Sequence, residues 1–376
     1  MRQVFCGAQV FDGTALRSGL AVAVEEGVIV GLLPEGEIAG DRVELAGGVL
    51  APGLLDLQVN GGGGRMVGGQ TDLAALRAIC DAHMALGATG ILPTLITDTV
   101  EATAAVIAAG VAAARAGVPG FLGLHLEGPH LDPRRKGAHD PGLIRPMEAA
   151  DLARLCDAAQ ALPALMVTLA PEAATPDQIA TLARAGAVVS LGHSDCTHEQ
   201  ATAAMAAGAR CVTHLFNAMS PLGSREPGLV GAALGGAGFA GLIADGIHVA
   251  PATMRVALAA KPEGVFLVSD CMAVAGTTLT EFTLGGRRIL RRDGRLSLED
   301  GTLAGADLTL AEAVAVLIGR AGVNPERALA MATSVPAAVI GQGGARGHLV
   351  PGRRADMIHL DADWRLARVW QAGRRP

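Results

Sequence analysis

The pattern of apolar and polar positions changes texture twice along the chain. Residues 1–51 alternate short β-type runs (QVFCGAQVFD, LAVAVEEGVIVGLL, DRVELAGGVLA) with glycine turns, and the last 27 residues return to that texture (ADMIHLDADWRLARVWQAG). The two ends are therefore expected to pair as one small β-sandwich domain, made from 1–51 and 350–376. Between them, short apolar strands alternate with Ala-rich helical segments, the rhythm of a parallel α/β sheet. Eight strand candidates stand out: LLDLQVN (54–60), TGILPT (89–94), FLGLHLE (121–127), ALMVTLA (164–170), AVVSLGH (187–193), RCVTHL (210–215), GLIADG (241–246) and VFLVSD (265–270). Eight is the number a closed barrel requires, so residues 52–349 are expected to form a (β/α)8 TIM-like barrel.

Several helix starts carry local signals. Asp98 with Glu101, and Thr197 with Gln200, have capping-box spacing, and Thr175 followed by Pro176 reads as an N-cap with proline at the first helical position. The segment 281–300 (EFTLGGRRILRRDGRLSLED) reads as a hairpin insertion turning at RDGR, and a last helix is expected to start near Thr309.

Composition narrows the classes. The chain has 376 residues, half of them hydrophobic, with 7 Phe, 2 Trp and no Tyr, so its core is aliphatic. A net charge of −6 without any basic stripe argues against a nucleic-acid partner. Six cysteines lack any CxxC pair and read as reduced thiols. No apolar segment has membrane-spanning length and the N-terminal run lacks a signal-peptide pattern, so a soluble, cytoplasmic protein without a membrane partner is expected.

Ionisable groups collect at the C-terminal ends of the strand candidates: Glu127 on the third, His193 on the fifth, His214 on the sixth and Asp270 on the eighth. In a parallel barrel that rim builds the active site. Two imidazoles and a carboxylate form a common catalytic ligand set for a divalent metal, and Asp270 is placed to act as general base and acid. His125, two residues before Glu127, shares its face and is either a hydrogen-bonding supporter of the site or a packed interior histidine. His83, His130, His198, His348 and His359 lack companions at ligand spacing.

These residues lie in an ordered series of longer motifs: PGLLDLQVNGGGG (52–64), GLHLEGPHLDPRRKGAHDP (123–141), LGHSDCT (191–197), THLFNAMSPLGSREPGLVGA (213–232), IADGIHV (243–249), LVSDCMAVAG (267–276) and LAGADLTL (303–310). The series closely resembles the N-acetylglucosamine-6-phosphate deacetylase family of the amidohydrolase superfamily, over nearly the whole chain. The resemblance implies one tight divalent metal, zinc before iron, on Glu127, His193 and His214, with Asp270 as base and acid. It further implies that His139 polarises the acetamide carbonyl. Ala138, Asn217, the Ala218 backbone, Arg225, His248 and Ala306 would meet the phosphorylated amino sugar. The family is dimeric, with Arg225 or His248 serving the neighbouring subunit's pocket.

One departure is informative. Many amidohydrolases carry a His-x-His pair after the first strand and bind two metals, whereas this chain has Gln58-Val59-Asn60. Amides are poor zinc ligands, so one metal is expected, with Gln58 and Asn60 reaching it only through water. The cations Arg134, Arg135 and Lys136 either attract an anionic substrate or belong to a solvated loop, and Cys271, beside Asp270, reads as a spectator. Rival readings are an N-acetylgalactosamine-6-phosphate deacetylase and a catalytically retired sugar-phosphate sensor.

Overall fold

A computed structural model describes residues 2–37 and 39–376. All eight expected strands are present, as Leu54–Val59, Ala88–Ile96, Leu124–Glu127, Leu165–Leu169, Val188–Leu191, Cys211–Val212, Phe239–Leu242 and Val265–Leu267. Each is hydrogen-bonded in parallel to its sequence neighbours in one eight-stranded sheet. The ring closes through backbone bonds from Asp270 N–H to Gln58 O (3.1 Å) and from Asn60 N–H to Cys271 O (2.9 Å). The strands are almost wholly buried because helices cover the outer face and side chains fill the interior, which is why they read as continuous apolar runs. The seventh strand starts two residues earlier than its apolar run suggested, because Phe239 and Ala240 also join the ladder.

The helix starts hold in part. Thr175 and Thr197 cap the helices Pro176–Arg184 and His198–Ala206 with reciprocal capping boxes, and Thr309 does the same with Glu312 for Leu310–Ala321. For the helix Val100–Arg115 the expected cap is off by one residue. Thr99 Oγ1 accepts from Ala102 N–H at 3.1 Å, while Asp98 accepts from the amide of Thr99 itself. The helix at Thr309 is not the last, since Pro325–Ala332 and Ser334–Val339 follow and pack under the barrel strands. The segment 281–300, expected as a hairpin, holds three strands of a four-stranded antiparallel meander, Glu281–Leu284, Arg287–Arg292, Arg295–Ser297 and Leu303–Ala306. Its RDGR turn is as expected, with Asp293 and Gly294 both at positive φ (51° and 71°), as a type I′ turn demands.

The chain ends pair as the sequence suggested. Val49–Pro52 lies between Gln9–Phe11 and Met357–Leu360 in a five-stranded sheet that also holds Leu366–Trp370 and Leu16–Arg17. A four-stranded sheet of Val28–Pro34, Leu20–Glu25, Arg2–Cys6 and Asp41–Glu44 packs against it, with Phe5 set edge-on to Trp370 at 5.1 Å. All six cysteines are free, and no helix of the described residues is long and apolar enough to cross a membrane.

The capping geometry makes a stability prediction. Thr99→Ala should cost about 1 kcal/mol in urea denaturation, and Asp98→Ala distinctly less. The reverse order would return the cap to Asp98.

Candidate active site

The barrel rim brings Glu127, His193, His214 and Asp270 together in one cavity of about 300 Å³. Glu127 is the last residue of its strand, and the other three lie two or three residues beyond theirs. His193, His214 and Asp270 all adopt positive φ (48°, 30° and 50°), a conformation that side-chain-bearing residues hold only when the surroundings impose it. Gly192 precedes His193 where a Cβ would lie 2.9 Å from Thr168 Cγ2 and 3.0 Å from Thr213 Cβ, so the backbone can approach the neighbouring strands only without a side chain.

Three atoms converge. Glu127 Oε1 lies 3.0 Å from His214 Nε2 and 3.3 Å from His193 Nε2, and the two Nε2 atoms are 3.1 Å apart. Ligands about 2.0–2.1 Å from a tetrahedral centre sit about 3.4 Å from one another, so this spacing fits a shared ion. His193 Nδ1–H donates to Arg135 O at 2.8 Å, which leaves a lone pair on the Nε2 that faces the cluster. Burial pushes the Glu127 carboxyl up, but bonds to His193 and His214 outweigh it and hold the group well below the usual carboxylate range. Burial likewise pushes His214 down, and the bond and charge of Glu127 reverse that and raise it. Both shifts mark a site that favours positive charge between these side chains. The buried Nδ1 of His214 has no partner among the described residues.

Glu127, His139 and His193 also lie close enough together to chelate. The bonds of His139 argue for a different task. Its Nδ1 accepts from the Thr97 amide at 3.3 Å and lies 2.7 Å from Thr97 Oγ1, which places the proton of the neutral ring on Nε2, 3.9 Å from Glu127 Oε2. A protonated Nε2 donates hydrogen bonds and cannot bind a metal. Burial, then the neighbouring His193, pushes His139 well below the ordinary histidine range and keeps it neutral.

The amides of Gln58 and Asn60 are donors to carboxylates. Gln58 Nε2 bridges Glu127 (3.2 and 3.3 Å) to Asp270 Oδ1 (3.2 Å), and Asn60 Nδ2 donates to the same Oδ1 at 2.7 Å. Burial and then the charge of Glu127 raise Asp270 to about 6. Cys271 Sγ points away, toward Gly61 O and His83 Nε2.

Among the expected sugar-binding residues, Ala138, His139, Asn217, Ala218 and His248 line the cavity. His248 Nδ1 is held by Asp245 at 2.6 Å. Ala306 does not line it: its side chain is buried in the core, its amide holds Asp270 O at 2.8 Å, and Thr302, Leu303 and Gly305 form the wall instead. Arg225 is exposed and lies outside the walls of the cavity of its own chain. Arg134 and Arg135 are committed internally, to Asp132, Glu172 and Asp195, so neither is free to draw in substrate. Their ion pairs hold the loop that offers Arg135 O to His193. Sequence reasoning missed Thr97, the anchor of His139, and Arg287, which reaches from the meander to Ala138 O. No motif marks either residue, since only the fold brings them to the loop 137–139.

The (β/α)8 barrel with a buried His, His, Glu cluster facing a rim aspartate is the arrangement of a metal-dependent hydrolase. Residues 49–373 match the model of the Amidohydrolase family, and the chain belongs to that family. It is 39% identical to an N-acetylgalactosamine-6-phosphate deacetylase of Shewanella sp. strain ANA-3, over 98% of this chain and 94% of the other. It is 33% identical to an N-acetylglucosamine-6-phosphate deacetylase of Haemophilus influenzae, over 92% of each. The crystal structure of N-acetylglucosamine-6-phosphate deacetylase from Pasteurella multocida superposes with a TM-score of 0.95 at 31% identity, covering 99% of each chain.

The choice between His214 and His139 as third ligand is open to elemental analysis. Purified His214→Ala should hold metal at least about tenfold more weakly than the unaltered protein, whereas His139→Ala should retain it near stoichiometry. Metal loss in His139→Ala with retention in His214→Ala would reverse the assignment.

Proposed function

We propose that the protein removes the acetyl group of N-acetylglucosamine 6-phosphate by hydrolysis, yielding acetate and glucosamine 6-phosphate. The observation that carries this reading is Asp270, buried at the rim with a raised pKa and held by two amides opposite the Glu127, His193, His214 cluster. The deacetylase names of the relatives set the substrate class.

Glu127, His193 and His214 hold one divalent ion, zinc by preference and iron(II) next, which when bound acidifies water and polarises the amide carbonyl. Asp270 takes the proton of the attacking water and returns it to the departing amine; a carboxyl near pKa 6 does both at neutral pH. The N–H donors of Asn60 and Gln58 fix Oδ1, leaving Oδ2 for this work. His139, neutral and protonated on Nε2, donates to the carbonyl oxygen as negative charge builds there. Asn217, Ala218 and His248 face the sugar phosphate, and the exposed Arg225 completes that site in a neighbouring subunit of a homodimer. Six free thiols accord with a reducing, cytoplasmic location. The galacto epimer is the second reading, favoured by the 39% relative that carries that name.

Asp270→Asn should lower kcat by about 10²–10⁴ with metal still bound. In the unaltered enzyme kcat/KM should fall tenfold per pH unit below about pH 6, because the base must be deprotonated to act. Amine release from the gluco and galacto 6-phosphates, compared directly, decides the epimer. Faster turnover of the galacto substrate would keep the chemistry and change the substrate, while an active Asp270→Asn variant would remove the acid-base role.

A further inference from the structure

Below the ligand cluster, inside the barrel, lies a second polar layer that takes no part in the proposed reaction. Thr94, His125, Thr168, Ser190 and Thr213 come from five consecutive strands or strand ends, and all are at most 3% exposed. Val59 N–H donates to Thr94 Oγ1 at 2.9 Å, and Thr94 Oγ1 meets His125 Nδ1 at a longer 3.4 Å. His125 Nε2 meets Thr168 Oγ1 at 2.7 Å, Thr168 meets Thr213 at 2.6 Å, and Thr213 meets Ser190 at 2.6 Å. A barrel interior is ordinarily filled with branched aliphatic side chains, and buried polar groups are costly unless each is paired. Here each is paired, and the chain of bonds ties the first six strands together across the interior as well as through their ladders.

The members of the layer sit next to the residues that matter. Val59 lies between Gln58 and Asn60, His125 is two residues before Glu127 on the same face of the strand, Ser190 is three before His193, and Thr213 directly precedes His214. His125 makes no bond to Glu127; its two ring nitrogens span from the second strand to the fourth, beneath that carboxylate.

We propose that this layer is a positioning device for the metal site, with His125 as its central member: the hydrogen-bonded floor holds Glu127, His193 and His214 at ligand spacing before an ion arrives. The inference rests on the assignment of those three as ligands.

The test measures zinc affinity of the demetallated, folded full-length protein by competition with a chromogenic chelator, alongside its thermal midpoint. His125→Leu should weaken zinc binding about 10–100-fold, the usual loss when an outer partner of a metal ligand is removed. His125→Gln, whose amide can reach Thr168, should recover most of it. Thr168→Val, which keeps the shape and deletes the hydroxyl between His125 and Thr213, should weaken binding in the same direction and serves if the leucine variant does not fold. Leu182→Ala, a core truncation in the helix Pro176–Arg184 far from the rim, controls for lost stability and should lower the midpoint without changing zinc affinity. Unchanged affinity in folded His125→Leu or Thr168→Val, or an equal loss in Leu182→Ala, would overturn the positioning role. Unchanged affinity in Glu127→Gln would instead overturn the ligand assignment beneath it.

Discussion

Everything at the rim depends on keeping Glu127 ionised while it is 2% exposed at the end of a barrel strand. A lone carboxylate taken out of water would simply protonate, because burial disfavours the charge by several kcal/mol. Glu127 escapes that by facing two imidazoles within 3.3 Å and the amide of Gln58. Its retained charge then acts on Asp270, helping to push the second carboxyl up to about 6. Two carboxylates in one cavity are thus driven to opposite protonation behaviour, one suited to hold a cation and the other to move a proton.

The same residues close the barrel. Asp270 N–H bonds Gln58 O and Asn60 N–H bonds Cys271 O, so the seam between the eighth and first strands passes directly through Asp270 and the two amides that donate to its carboxylate. Beneath that seam the buried Asp56 accepts from both Gln58 N–H and Ser269 N–H at 3.2 Å. A His-x-His pair at 58 and 60 would bring two more ligands to the seam. The amides bring donors, which is the complement an adjacent pair of carboxylates needs when a single cation is to be held. The change in residue type therefore alters what the first strand is for, while its place in the fold is kept.

The fold was legible because its signals are local: strands buried on both faces read as unbroken apolar runs, and two of the three capping motifs read from the sequence, at Thr175 and Thr197, name the right residue. The failure at Asp98 is physical, since Asp98 and Thr99 both cap well and the capping-box spacing of Glu101 pointed to the first, while Ala102 N–H bonds the second. The meander was seen only as far as its tight RDGR turn, because nothing local shows that Leu303–Ala306 returns to pair with Arg295–Ser297. At the site, strand-end position anticipated that Glu127, His193, His214 and Asp270 would share one cavity. It could not reveal what the loop cations do, because the partners of Arg134 and Arg135, Glu172 and Asp195, arrive from the ends of other strands. Ala306 failed for a simpler reason: its motif borders the cavity, but the residue faces the core.

His139 shows how far side-chain chemistry depends on a single distant contact. By position and burial it qualifies as a metal ligand, and by residue type it is indistinguishable from His193, whose ring centre lies 4.3 Å away. The two differ in what holds Nδ1. A carbonyl oxygen, Arg135 O, accepts the hydrogen bond of His193 Nδ1–H and so leaves a lone pair on Nε2 facing the cluster; a backbone amide, Thr97 N–H, donates a hydrogen bond to His139 Nδ1 and so leaves the ring proton on Nε2, which becomes a donor. Burial and the neighbouring His193 keep the His139 ring neutral, so its Nε2–H is available as a hydrogen-bond donor to the cavity. Two histidines in contact thereby present opposite hydrogen-bonding character to the cavity, and the backbone decides which presents which.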